Sequence, residues 1–137
     1  MGCDIHCVIE RQIPGERRWL GVVSSDHVRP QPMYARRNYA LFAELAQVRG
    51  ESETGAYSRG FPVDISQLAW EQFCRCPTDY HTPSHMSLSE FADRFIRVIE
   101  RDGLQDTKIR KEYAAYDLFG IFPEEGEEWR IVFWFDN

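Results

Sequence analysis

Lysine is almost missing from this chain: of its 16 basic residues 14 are arginine, and only Lys108 and Lys111 are lysine. Arginine carries the planar fork that grips phosphate and carboxylate, so the bias draws attention to anion recognition, although a GC-rich coding sequence produces the same bias. A cationic surplus is missing too. The net charge is −6, and affinity for duplex nucleic acid comes mainly from neutralising phosphates, so duplex DNA and RNA are not expected partners. No run approaches the roughly 20 apolar residues of a membrane span, which argues against membrane association. The start lacks the apolar stretch of a secretory signal. The four cysteines are therefore expected as reduced thiols in a cytoplasmic protein. Internal repeats and low-complexity tails are absent from the sequence as well.

What is present is enough for one core. At 137 residues, 43% hydrophobic and 14% aromatic, the chain suits a single domain over 1–137 and is too short for two. Gly2 to Glu10 reads as a strand with two unlike faces, because side chains on a strand alternate. Cys3, Ile5, Cys7 and Ile9 make the apolar face; Asp4, His6, Val8 and Glu10 make the other. Pro14-Gly15 is a turn signal, and Arg18-Trp19-Leu20-Gly21-Val22-Val23 is β-prone, which completes a hairpin. Pro30 and Pro32 keep 24–36 irregular.

Helical spacing follows at Tyr39, Leu41, Phe42, Leu45 and Val48, with Asn38 as N-cap and Gly50 in the C′ position. A long loop from Glu51 to about Asp64 leads to a short helix through Leu68, Trp70 and Phe73, capped by Asp64 or Ser66. Cys74 to His85, interrupted by Pro77 and Pro83, reads as irregular. Ser87-Leu88-Ser89-Glu90 is a capping box, and Leu88, Phe91, Ala92, Phe95, Val98 and Ile99 form one stripe. A weaker helix is expected over 106–118. The apolar and aromatic Glu128 to Asn137 closes the chain as a strand that pairs with the first. The expected fold is α+β: a small antiparallel sheet, the N-terminal hairpin plus the C-terminal strand, packed by three to four helices with long functional loops. In this arrangement the helices lie on the Cys3/Ile5/Cys7/Ile9 side and leave Asp4 and His6 facing the loops.

Asp4-x-His6 and Asp79-x-His81 are the clearest chemical signals. Carboxylates suit hard divalent cations and imidazole suits zinc-like ions, so Asp4, His6, Asp79 and His81 form a candidate metal set, and His6 and His81 are candidate catalytic residues. The same pairs serve equally to brace local backbone. Cys3, Cys7, Cys74 and Cys76 count to a four-thiolate zinc site, but the first two are more simply small core residues. Between 29 and 59, Arg29, Arg36, Arg37, Arg49 and Arg59 face only Glu44, Glu51 and Glu53, a local charge of +2. Arg37 and Asn38 stand at a helix start, where free N–H groups favour an anion.

With these residues in view the chain resembles a widespread family of small bacteriophage and prophage proteins with no settled activity. The likeness covers nearly the whole length. It rests on Met1-Gly2-Cys3-Asp4-Ile5-His6, on Arg37-Asn38-Tyr39 with Leu45-Ala46 and Val48-Arg49, on Gly60-Phe61-Pro62-Val63-Asp64-Ile65-Ser66, on Asp79-Tyr80-His81 with Ser84, and on Arg130-Ile131-Val132-Phe133-Trp134-Phe135-Asp136-Asn137. It implies a phage origin and a role in the cytoplasm of an infected bacterium. His85 stands where members often have an aromatic, which weakens it as a shared ligand.

The leading expectation is a protein that binds a phosphate-bearing small molecule, a nucleotide above all, to counter host defence signalling. Arg37, Asn38, Arg49 and Arg59 would hold phosphate; Asp4, His6, Asp64, Asp79, His81 and Ser84 would complete the ligand contacts, with Tyr34, Tyr57 and Tyr80 available to stack. The rival is a metal-dependent phosphoesterase in which the Asp/His cluster activates water and Arg37 or Arg59 steadies the developing charge. A host protein target, blocked by acidic mimicry, is a third reading, and a homo-oligomer is compatible with all three.

Overall fold

The first strand, β1 (Ile5–Gln12), lies at the inside of a four-stranded antiparallel sheet of order β2-β1-β4-β3, with β2 at Trp19–Ser24, β3 at His81–Ser87 and β4 at Trp129–Phe135. The computed structural model describes residues 2–27, 38–101 and 127–136. The Pro14-Gly15 turn forms as the sequence indicates. Gly15 takes φ +79°, a value glycine adopts without a steric penalty, and Ile13 and Arg18 close the hairpin through a 3.0 Å bond. The expected pairing of first and last strands is also present, in continuous register from Ile5↔Phe135 to Arg11↔Trp129.

Among the described residues three helices pack on this sheet: α1 (Tyr39–Ala46), α2 (Gln67–Phe73) and α3 (Leu88–Arg101). Their N-termini follow the capping chemistry. Asn38 accepts from the Leu41 N–H, Ser66 from the Ala69 N–H, and Ser87 from the Glu90 N–H. None of the helices in the described residues is long and apolar enough to cross a membrane. The weaker helix expected over 106–118 lies outside the described residues.

The apolar face of β1 is core as expected. Cys3, Ile5, Cys7 and Ile9 join Ile131, Phe133 and Phe135 of β4, Leu41, Phe42 and Leu45 of α1, and Phe91, Phe95 and Val98 of α3. Three details differ from the sequence reading. The other face of the sheet is covered too, because Val8, Val132 and Trp134 pack against Ala69 of α2, with Phe61, Leu68 and Phe73 around them. The helix α1 stops at Ala46: Gln47 turns left-handed at φ 56°, and the bonds Gln47 N–H to Ala43 O and Val48 N–H to Phe42 O close the end two residues before Val48 is reached. And 81–87 is a strand, where Pro83 suggested irregular chain. Proline is tolerated at a sheet edge, where no neighbour needs its N–H; a register shift between His81 and Ser84, with Thr82 at φ 53°, absorbs the rest.

Gly21 of β2 sets how closely α2 approaches. A Cβ at this position would lie 2.5 Å from the Leu68 Cβ, a distance that only backbone movement can relieve. Gly21→Ala is expected to destabilise the fold by about 1–3 kcal/mol, seen as a lower urea midpoint with an unchanged slope.

Candidate functional site

The alternation of β1 puts His6 beside Trp134 of β4 in the sheet register, on the face that α2 partly covers. Two other elements deliver carboxylates to it. Asp136, the residue after β4, is fixed by a reciprocal contact with Asp4: its N–H donates to the Asp4 carbonyl at 3.0 Å, and its Oδ1 accepts from the Asp4 N–H at 2.9 Å. Its Oδ2 lies 2.8 Å from His6 Nε2. Asp26 belongs to the 3-10 turn Ser25–His27, which is tied to β1 by the Cys7 N–H donating to Ser25 Oγ at 2.9 Å. Its Oδ1 lies 2.9 Å from His6 Nδ1. The Tyr80 ring stands 4.9 Å from the imidazole and the Trp134 ring lies almost parallel to it at 6.4 Å.

A neutral imidazole has one N–H and one lone pair, so it can satisfy only one of two acceptor carboxylates. Both are satisfied only by the imidazolium. Burial disfavours that charged form, since the His6 side chain is only 16% exposed, but the hydrogen bonds to Asp26 and Asp136 outweigh burial and raise the His6 pKa above its ordinary 6.5. Two carboxylates and one imidazolium leave the site with a net negative charge. It can hold a proton between two strands and a turn; it repels a phosphate.

The remaining sequence-derived candidates are dispersed. His81 pairs with Phe135 in the sheet, stacks on its ring at 6.2 Å and meets Thr82 Oγ1 at 2.8 Å. Neighbouring residues on β4 point to opposite faces, so His81 beside Phe135 and His6 beside Trp134 stand on opposite sides of the sheet. Asp79 is exposed in the turn before β3, its N–H donating to the Cys76 carbonyl. Among the described residues no group of three or more His, Cys, Asp or Glu side chains is arranged to hold a metal ion. Cys3 and Cys7 are buried in the sheet, whereas Cys74 and Cys76 are exposed.

Ser84 is fully buried and accepts from the Arg59 N–H at 3.1 Å. Arg59 forks onto Glu90 at 3.0 and 2.6 Å. Asn38 is occupied by its capping bond. Tyr57 is exposed, and Tyr80 lies against His6. Arg49 sits over the Tyr39 ring, 5.5 Å from its centroid, and the Tyr39 hydroxyl accepts from the Cys3 N–H at 3.2 Å. Arg29, Tyr34, Arg36 and Arg37 lie outside the described residues.

Sequence reasoning missed a second charged cluster. Glu10, fully buried, accepts from Arg130 Nε through one oxygen and from the Ser66 N–H at 2.7 Å through the other. Arg130 also donates to Asp64 Oδ1 at 2.7 Å and to the Asp64 carbonyl at 3.0 Å, and lies 4.0 Å over the Trp19 ring. The bond from Arg130, ahead of the smaller opposing effect of burial, holds the Asp64 carboxyl below its usual range. The signal was available in part: Arg130 is a lone charge inside an otherwise apolar strand, and Glu10 is a carboxylate directly after the apolar run Cys7-Val8-Ile9. Their placement docks the α2 N-cap onto the sheet, so Asp64 is engaged in the fold. Comparison of the chain with family models, with curated proteins and with solved structures finds no match.

The clamp on His6 has a definite pH signature. A raised histidine pKa adds stability that is complete below the unfolded value of 6.5 and disappears as pH climbs through the folded value. NMR titration is expected to place the His6 midpoint above 6.5, and to move it down in Asp26→Asn and in Asp136→Asn. His6→Gln is expected to lose about 1.5–3 kcal/mol at pH 6 and to lack the decline in urea stability expected of the parent chain above pH 6.5.

Proposed function

We propose that the chain is a phage-encoded binding protein for a phosphate-bearing small molecule, specifically a nucleotide, which it withdraws from the host's defence signalling. Resemblance to the phage family supports the origin and setting. The observation that carries the binding reading is the Arg49–Tyr39 pair beside the first turn of α1. A guanidinium held over an aromatic ring is oriented before a ligand arrives, and its planar fork is the part that grips phosphate. The helix start adds a positive field of the same sense. Arg49 also bonds to the Cys3 thiol, whose pKa is raised by burial in spite of that contact.

The geometry narrows the earlier set of phosphate ligands. Arg59 is committed to Glu90 and Asn38 to its cap; Arg49, over the Tyr39 ring and bonded to the Cys3 thiol, is the cation of that set we take as the phosphate ligand. A metal-dependent phosphoesterase would need Asp4, His6, Asp79 and His81 at one point, and no observation favours it.

Calorimetry against mono-, di- and cyclic nucleotides at low salt is expected to give heat with at least one class. Arg49→Met keeps the aliphatic packing and should weaken that binding about tenfold or more, while Arg59→Met should leave it unchanged. No heat from any nucleotide rejects the reading.

A further inference from the structure

The two edges of the sheet are treated differently. At β3 the outer edge is closed: it contains Pro83 and a register shift, and the segment 58–60 lies along it. The Gly60 N–H donates to the Pro83 carbonyl at 3.0 Å, Arg59 Nη1 donates to the His85 carbonyl at 3.3 Å, and His85 Nδ1 meets the Gly60 carbonyl at 3.0 Å. Such devices are how natural sheets prevent another chain from pairing. At β2 there is a register shift opposite Ile9 and Glu10, but among the described residues neither a proline nor a covering segment. Trp19–Ser24 contains no proline and no charge, Leu20 is 52% and Val22 45% exposed, and among the described residues the backbone of 19–23 bonds to β1 alone.

Beside that open edge runs a cleft of about 600 Å³, within the range of real binding sites. Trp19, Leu20 and Gly21 form one wall; Ile65, Leu68 and Glu71, from α2 and the turn before it, form the other. Trp19 is held in place by Arg130. The far wall limits what can enter. With α2 and the turn before it across the cleft from the edge, an extended segment is the narrowest occupant that can reach the backbone of the edge. Glu71, and Asp64 with the half of its side chain that its bond to Arg130 leaves exposed, against Arg18 give the lining a charge of −1, inside a chain of net charge −6.

We infer that the cleft takes an extended peptide segment, alternating apolar and basic residues, that adds as a fifth strand to β2. Main-chain bonds to the open edge supply affinity, and side chains at alternate positions read the walls. At ~3.3 Å per residue, Arg18 to Gly21 matches about four residues of such a segment. Its basic side chains face Asp64 and Glu71. The site lies apart from Arg49 and does not depend on nucleotide binding.

The probe is the acetylated, amidated pentapeptide Val-Lys-Val-Lys-Val, titrated into the full-length 15N-labelled chain. Shifts are expected at Trp19 to Gly21 and Ile65 to Leu68, with saturation below about 1 mM. The Val-Glu-Val-Glu-Val peptide should bind at least tenfold more weakly, and a Val-Lys peptide N-methylated at alternate residues should not bind. Glu71→Lys, an exposed change, should weaken the Val-Lys peptide severalfold with the amide spectrum otherwise preserved. Absence of localised shifts, equal binding of the N-methylated peptide, or a dimer in sedimentation equilibrium that protects the β2 amides overturns the assignment; the last outcome would give the edge to a second copy.

Discussion

Everything described in this structure hangs on the pairing of β1 with β4. These two strands form the middle of the sheet, and each face of the pair carries a different cargo. On one side Ile5, Cys7, Ile9, Ile131, Phe133 and Phe135 give α1 and α3 a surface to bury. On the other, Val8, Val132 and Trp134 receive α2. The two charged clusters are also products of this ladder. His6 meets Asp136 only because Ile5 pairs with Phe135, and Glu10 meets Arg130 because they are register partners. A one-residue slip would turn every one of these side chains to the wrong face, so apolar packing and buried charge select the same register.

Buried charge does different work at the two ends of the ladder. Glu10 and Arg130 are nearly sealed from solvent, and each has its donors or acceptors met by Asp64, Ser66 and Trp19. Such a pair adds little net stability over an apolar one, but losing one partner strands the other in a low-dielectric site. Its value is positional, since it fixes where the α2 N-cap sits. The His6 end is partly solvated, with Asp26 and Asp136 at 23% and 27% side-chain exposure, and its charge depends on a proton that solvent can remove.

Local rules made much of the fold readable. The Pro-Gly hairpin, the caps at Asn38, Ser66 and Ser87, the stripe of α3 and the pairing of the end strands all follow from period and capping chemistry. Val132 and Trp134 alternate with Ile131, Phe133 and Phe135, which is the pattern of a strand buried on both faces; that pattern already implied a helix on the second side. What was not readable depended on tertiary context. Pro83 forbids a central strand but not an edge one, and nothing near it in sequence says which edge it will occupy. Asp79-x-His81 and Asp4-x-His6 have the same local form, yet the sheet turns one histidine toward Phe135 and the other toward Trp134. Asp26 was visible only as a loop residue, because a carboxylate reaching back to the preceding hairpin has no sequence period. For Arg49, no spacing in the sequence indicated its place over the Tyr39 ring.

The order in which the central strands are made has a consequence of its own. His6 and Asp136 are separated by 130 residues, so at ordinary synthesis rates β1 emerges roughly 10 s before its principal partner exists. During that interval β2 can close one side of β1, but the other side, intended for β4, is an unpaired strand edge of the kind that captures foreign strands. The growing chain is therefore most vulnerable when its hairpin is already formed and its centre is still missing, and the burden of keeping it soluble falls on the charged residues of the intervening segment.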